Sequence, residues 1–376
     1  MIAACQEAVR IPSPSGEEAK AAAFLAERMV RLGADNVEVD EHSNVVAVFR
    51  GDGGGPSLMF NGHLDHVPPG DMAEPYSGAL VDAARWGEFG EAIYGRGSCD
   101  MKCNVVAAAY ALGAIRTAGV RLGGDAILVA DVQEEVDSPL GVQAVLARGL
   151  RADYGLSVES TGLEVYIGHR GKVEFELDVY GKSCHSSEPE RGTNAIYEMV
   201  RALEALRSLE QTLPSDPLLG RASLTPIDIV AFPGHGVAVV PDRCTIRIDR
   251  RFVPQETPAD CLRQLKERLS RVKGLSFAIR QVNLYPLMYT DPTHPLVSAV
   301  QRCCEGVLGR SSGIGAWRFG VNGTFMAQAG IPTVGFGPGS ERWAHTPEEH
   351  VLVQELVDAA KVYIMVTLSL CGVATV

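Results

Sequence analysis

Between Lys172 and Tyr180 the chain alternates strictly, with Val173, Phe175, Leu177 and Val179 apolar and Lys172, Glu174, Glu176 and Asp178 charged. Period two marks a strand with one buried and one wet face. The chain before it reads differently. Short apolar runs at Asn44–Phe49, Ser57–Phe60, Ala126–Ala130 and Asp153–Val158 alternate with helical stretches. Ser15 followed three residues later by Glu18 predicts a capping box opening a helix to about Leu32, with Phe24, Leu25 and Met29 on its apolar face. Cys103–Ala118 and Pro139–Arg148 are the next helices. Buried strands alternating with helices predict a sheet between two helical layers.

From residue 170 the order becomes strand Lys172–Tyr180, helix Asn194–Leu209, strands Ser223–Val230 and Arg243–Arg250, helix Pro258–Arg271 and strand Ser276–Val282. That βαββαβ order is the ferredoxin-like arrangement. After residue 283 helix-then-strand character resumes, ending in a Gly-rich loop and a helix from about Glu349. The expected organisation is an α/β chain: a catalytic domain over 1–170 and 284–376, with a smaller domain inserted at 171–283. A chain of 376 residues is long enough for two cores.

A formal net charge of −12 without a long basic run makes nucleic acid and anionic membranes poor partners. The opening MIAACQEAVRIPSPSG lacks the pattern of a secretory signal. The apolar run Val362 to Val376 is too short to span a bilayer and reads as a final core element. Nine cysteines without disulfide-like spacing suit a reduced, cytoplasmic protein.

In open α/β sheets, sites form beyond the carboxyl ends of the strands. There the sequence places His63 and Asp65, then Glu134 and Glu135, then Glu159, and a loop carrying His345 after Thr333–Phe336. Asp100 arrives just before a helix. Each alone has a bland reading: a lone His-X-Asp is usually unrelated to metal, and an acidic pair is usually a solvated face. Two exposed charges directly after a buried strand are harder to excuse. Two zinc ions about 3.5–4 Å apart need a bridging carboxylate. Asp100 can bridge, with His63 and Glu159 on one ion and Glu135 and His345 on the other. Glu134 is left as general base toward the metal-bridging water, and Asp65 suits holding the His63 tautomer. Cys99 and Cys103 flank Asp100 and Cys184 precedes His185, but Cys99 and Cys103 are not needed for this set and read as packing, as do Cys303 and Cys304.

These residues carry a resemblance. Gly62-His63-Leu64-Asp65-His66-Val67-Pro68, Tyr94-Gly95-Arg96-Gly97 through Asp100-Met101-Lys102, Gln133-Glu134-Glu135, Glu159-Ser160, Gly181 to Pro189 with Gly192-Thr193-Asn194-Ala195-Ile196, Gly335 to Gly339 and Ala344-His345-Thr346-Pro347 resemble the M20 zinc peptidases and deacylases. That family includes acetylornithine deacetylase, succinyl-diaminopimelate desuccinylase and glutamate carboxypeptidase. The resemblance spans essentially the whole chain. It implies a zinc-peptidase-like α/β/α catalytic domain with two Zn²⁺ per subunit (Co²⁺ or Mn²⁺ being possible substitutes), and an inserted lid that makes a homodimer. It implies that His185 reaches the partner's site to stabilise the oxyanion, and that Arg251 holds a substrate carboxylate. Asn194 and Gly339 are carried over as substrate-binding positions. Gly168-His169-Arg170-Gly171, Cys184-His185 and Pro338-Gly339 are most similar to a selenium-metabolism-linked hydrolase branch. Ala238 stands where many members have asparagine, and Asn322-Gly323-Thr324 where many have Thr-Asp.

The expected activity is hydrolysis of an amide bond in an N-acyl amino acid or small peptide bearing a free carboxylate. By the resemblance, a glutamate at position 159 is similar to the deacylase and carboxypeptidase branch of the family. A dipeptidase or aminopeptidase is the alternative within the class. A non-catalytic metal-binding protein is the remote one, and intact Glu134 with all five ligands speaks against it.

Overall fold

The computed structural model describes residues 1–374. Thr375 and Val376, the end of the run read as a final core element, lie outside the described residues. The chain forms two compact units. One comprises Met1–Gly168, Tyr289–Trp317 and the chain from Val321 onward; the other comprises His169–Met288 with Arg318–Gly320.

The first unit is built on a nine-stranded mixed sheet. Its order is Asn36–Val39, Val45–Phe49, Ala126–Asp131, Leu58–His63, Tyr154–Ser157, Thr333–Gly335, Val165–His169 and Met288–Tyr289, with Ile314–Trp317 also pairing Val165–His169. Leu58–His63 lies parallel to both neighbours, Leu58 opposite Ala126 and Tyr154, His63 opposite Asp131. Thr333–Gly335 continues the parallel set beside Tyr154–Ser157. Four parallel strands therefore end along one edge, where the polar residues of the sequence begin. Leu58–His63 and Ala126–Asp131 are buried at every position, as strands covered on both faces must be.

Helix Cys103–Thr117 explains its alanine content by near-complete burial, eleven of its 15 residues lying in the core. The longest helix, Val353–Cys371, packs Tyr363 edge-on to Phe60 at 5.5 Å and to Phe336 at 6.0 Å. Helix Ala19–Arg31 buries Leu25 and Met29, roughly 1.5–3 kcal/mol each. Among the described residues no helix is long and apolar enough to cross a membrane.

Three local expectations are corrected. Helix Ala19–Arg31 has Glu18 at its N-cap without a side-chain cap, so Ser15 and Glu18 form no capping box. The segment expected as a helix from Pro139 becomes helical only at Val142. Glu349 does not open the last helix: it precedes strand His350–Leu352, which joins Glu91–Tyr94 and Ala79–Asp82 in a small antiparallel sheet before the helix starts at Val353. That sheet is absent from the sequence reading, as is helix Ile2–Val9.

The second unit has four antiparallel strands in the order Ser223–Phe232, Arg243–Phe252, Gly171–Tyr180, Ser276–Tyr285. This is the ferredoxin-like order. Val173, Phe175, Leu177 and Val179 form its core with Met199 and Leu206 of helix Ala195–Glu210 and Leu265 of helix Pro258–Ser270. The charged positions of the alternation lie on the other face, where Arg247 pairs with Glu174 at 2.6 Å and Thr245 bonds Asp178 at 2.5 Å.

Candidate active site

His63 ends its strand with its ring enclosed by the first unit. Its Nδ1 lies 3.0 Å from the backbone oxygen of Asp65, so Nδ1 carries the proton and Nε2 presents a lone pair. Nε2 faces Asp100 Oδ1 at 3.0 Å and Glu159 Oε1 at 3.5 Å. On the other side of Asp100, His345 Nε2 lies 3.2 Å from Oδ2 and 2.9 Å from Glu135 Oε2. Asp100 thus turns one carboxylate oxygen to each histidine, and each histidine has its own glutamate. His63, Asp100 and Glu135 alone bring ligand atoms within 4.8 Å of one another, a group able to hold a metal ion.

The electrostatics state what such a group needs. Four carboxylates share this corner with two imidazoles. Burial, and then the charge of Asp100, raises Glu159 to about 6. Burial pushes Glu134 well above its ordinary value, with the charges of Glu159, Glu135 and Asp100 adding to it against the pull of His63. Burial opposes a proton on His63, yet bonds to Asp100, Asp65 and Glu159 carry its pKa well above normal. Bonds to Asp100 and Glu135 raise His345 to about 10. A cluster so rich in anions calls for cations, and mixed nitrogen and oxygen donors suit divalent metal ions.

Long-range contacts hold each donor. Asp65 is buried; its Oδ1 accepts from the N–H of Glu134 at 3.1 Å, and its Oδ2 from the N–H of Glu135 at 3.2 Å and the Ser15 hydroxyl at 2.7 Å. Its carboxylate is 3.4 Å from His63 Nδ1, farther than its own backbone oxygen. The side chain therefore organises the Glu134–Glu135 turn more than the His63 tautomer. Glu18 supports the same turn, its Oε1 accepting from Gln133 N at 3.1 Å and Gly16 N at 2.8 Å. This is what Ser15 and Glu18 do instead of capping.

Asp100 is held by Glu349. One oxygen of that buried carboxylate accepts from the N–H groups of Cys99 and Asp100, both at 3.1 Å, and the other pairs with buried Arg96. Gly97 makes the approach possible: its φ is +77°, and a Cβ there would lie 2.7 Å from Lys102 Cε. Sequence reading missed Glu349, Arg96, Ser15 and Glu18 as parts of the site; their only signal was charge or polarity beside a Gly-rich or strand-end motif.

The other named positions have definite surroundings. Gly339 donates its N–H to Glu355 Oε2 at 2.7 Å, and its φ of +84° leaves no room for a Cβ, which would meet Cys99 Sγ at 2.7 Å. Cys99 and Cys103 are fully buried thiols against Ser160 and Cys5, and all nine cysteines are free. Asn322 turns inward, donating to buried Asp131 Oδ2 at 2.8 Å.

The remaining three predicted residues, His185, Asn194 and Arg251, belong to the second unit. Asn194 caps helix Ala195–Glu210, its side chain accepting from Ile196 N. Arg251 lays its Nε and Nη2 edge on Asp249 at 2.9 and 3.1 Å. His185 is exposed, and the N–H of Ser187 donates to its Nδ1 at 3.2 Å. A backbone N–H cannot turn round, so the neutral ring carries its proton on Nε2. Its loop is held by pairing of His185 with Val239 and by Ser186 N donating to Ala238 O, a backbone task that alanine performs as well as asparagine.

Comparison with known proteins agrees with this architecture. Residues 59–368 match the sequence model of peptidase family M20/M25/M40. The Escherichia coli (strain K12) protein YgeY is 33% identical over 386 aligned residues, covering 97% of this chain and 93% of that one. Acetylornithine deacetylase of Myxococcus xanthus is 30% identical, covering 94% of this chain and 90% of its own length. A Bacillus subtilis protein described as a dinuclear metal-binding peptidase of family M20 shares the fold with a TM-score of 0.74 at 14% identity, over 99% of this chain and 98% of that one. The chain belongs to peptidase family M20/M25/M40. Within it, the chain is a hydrolase of C–N bonds of the amide or peptide kind.

Proposed function

We propose that this hydrolase removes the acyl group from an N-acyl amino acid, or cleaves a small peptide ending in a carboxylate, with two Zn²⁺ per subunit. The observation that carries the reading is the two-sided Asp100: its Oδ1 faces His63, which also faces Glu159, and its Oδ2 faces His345, which also faces Glu135. A carboxylate so shared suits bridging of two ions. Asp100, His63, Glu159, Glu135 and His345 would hold them. Bound there, the ions would polarise the scissile carbonyl and acidify the attacking water.

Glu134 takes the proton of that water and passes it to the leaving nitrogen. Burial raises its proton affinity, which suits it to hold that proton between the two transfers. Asp65 keeps its backbone in place. His185, donating from Nε2, suits an oxyanion. Arg251, with Nη1 left over from its grip on Asp249, reads the substrate carboxylate. Arg170, whose pKa is lowered by burial and by nearby Arg251 and Arg318, adds positive charge there. The Myxococcus relative named as a deacetylase supports the acyl-amino-acid reading.

A homodimer through the inserted domain belongs to the same proposal. Strand Ser223–Phe232 is a sheet edge and exposes Ile227, Ile229 and Val230, while helix Ala195–Glu210 exposes Tyr197 and Val200. An apolar open edge invites pairing with a second copy.

The test is release of free amine from N-acetyl, N-succinyl and N-formyl amino acids beside dipeptides, with Zn²⁺ supplied and Glu134→Ala as control. Turnover of acyl-amino acids lost in the control supports the proposal. Cleavage of dipeptides alone replaces it with a dipeptidase, and a fully active Glu134→Ala protein removes the mechanism.

A further inference from the structure

His345 sits at an unusual place for a ligand. It is half exposed, its φ is +63°, and it stands in a loop with no regular structure of its own. A non-glycine residue in that region needs its surroundings to hold it there. Strand residue Tyr94 donates its hydroxyl to Pro347 O at 3.1 Å, and most side-chain contacts on the two flanks come from one element, the turn between strands Ala79–Asp82 and Glu91–Tyr94.

Glu88, in that turn, meets two donors and one imidazole. Its Oε1 accepts from Trp343 Nε1 at 3.1 Å and from the Arg342 guanidinium, both just before His345. Its Oε2 lies 3.1 Å from Nε2 of His350, five residues beyond His345. His350 Nδ1 is 2.6 Å from the Glu348 backbone oxygen. Trp86, in the same turn, stacks on the His350 ring, 3.6 Å between centroids and 7° from parallel, and donates Nε1 to Glu348 Oε2 at 2.6 Å. The turn therefore grips residues 342, 343, 348 and 350, and so both flanks of the loop that carries His345. Burial alone would raise the pKa of Glu88, but bonds from His350, Trp343 and Arg342 bring it below its ordinary value, so the grip is that of a carboxylate.

We propose that Glu88 is the positioning residue of His345, and through it of one of the two ions, with Trp86 as its companion. The proposal rests on the reading of His345 as a metal ligand. Glu88 touches neither ion nor substrate. Losing the carboxylate frees the loop and weakens the ion that His345 and Glu135 hold, and it leaves the ion held by His63 and Glu159 unchanged. Residues that orient a ligand without binding the metal typically contribute about 10–100-fold in affinity.

The experiment is calorimetric titration of the full-length, metal-stripped protein with Zn²⁺ alone, comparing wild type, Glu88→Gln and His345→Ala. The expected result is two binding events in wild type, with one lost in His345→Ala. That same event should be weakened about 10–100-fold in Glu88→Gln while the other stays in place. Trp86→Phe, which keeps the stacking and loses the N–H bond to Glu348, should weaken the same event less, and it serves if Glu88→Gln fails to fold. Raising Zn²⁺ should restore kcat in Glu88→Gln, which a general loss of folding would not allow. Unchanged affinities, or both events weakened alike, overturn the proposal. If His345→Ala keeps both events, the ligand reading itself is wrong and the proposal falls with it.

Discussion

Replacing Asp65 by asparagine separates its two conceivable tasks. The carboxylate accepts from two backbone N–H groups and one hydroxyl, and lies at 3.4 Å from His63 Nδ1. An amide offers one oxygen. The Ser15 hydroxyl can turn and accept from the new N–H₂, but the N–H groups of Glu134 and Glu135 cannot, so one of them loses its acceptor in a buried place. An unsatisfied buried donor costs about 1–3 kcal/mol, and the surviving bonds lose their charge assistance at about 1 kcal/mol. Asp65→Asn should therefore lower the unfolding free energy by about 2–4 kcal/mol in urea titrations. The turn carrying Glu134 shifts, and a misplacement of about 1 Å is worth about 10²-fold in kcat. The His63 ring keeps its backbone acceptor at 3.0 Å, so binding of the ion on the Glu159 side should change little. A stability loss below about 0.5 kcal/mol with kcat intact would refute this account. A selective loss of the His63-side ion would instead assign Asp65 to the tautomer.

Other consequences can be measured directly. His66 accepts the Ser13 N–H on Nε2 and donates from Nδ1 to Val67 O, so its neutral ring is satisfied; burial, then Lys102, lowers its pKa to about 4. A histidine with a depressed folded pKa binds its proton first in the unfolded chain. Its contribution is complete above about pH 6.5 and declines as pH falls toward 4, by about 2 kcal/mol at pH 5 and about 3 in full. His66→Asn should flatten this part of the stability–pH curve, and an unchanged curve would refute it. Arg250 is fully buried on Glu256, with Gln264 beside it; Arg250→Ala should cost about 3–5 kcal/mol in thermal or urea unfolding by leaving Glu256 unpaired, and a loss under 1 kcal/mol would count against the pairing. Ile229, 57% exposed on the edge strand, should mark the dimer interface. Ile229→Lys should give monomers in sedimentation at micromolar concentration, and an unaffected dimer would move the interface elsewhere.

What could be read from the sequence follows physical range. Buried parallel strands announce themselves by continuous apolar runs, and their shared direction forces their ends to one edge. His63, Glu135 and Glu159 could thus be grouped before any coordinates, and Asp100 and His345 joined them through their loops. The strict alternation of Lys172–Tyr180 announced the ferredoxin-like unit equally well, because period two is a local property. The supports were not legible, because nothing local marks them. Ser15 and Glu18 have the spacing of a capping box, yet Ser15 bonds a residue 50 positions away and Glu18 one 115 away. Glu349 reads as the first turn of a helix, but its partners Cys99 and Asp100 lie about 250 residues back. The strands around Glu88 are four residues each, and Ala79–Asp82 is half exposed, too short and too wet to give a pattern. Asn194 shows the reverse, a family position whose visible work here is local capping. The proposed ligands sit at topologically forced places, while their orientation is borrowed from remote segments. Substitutions at Glu88, Glu349 or Glu18 should therefore disturb the site although none of the three is a proposed ligand.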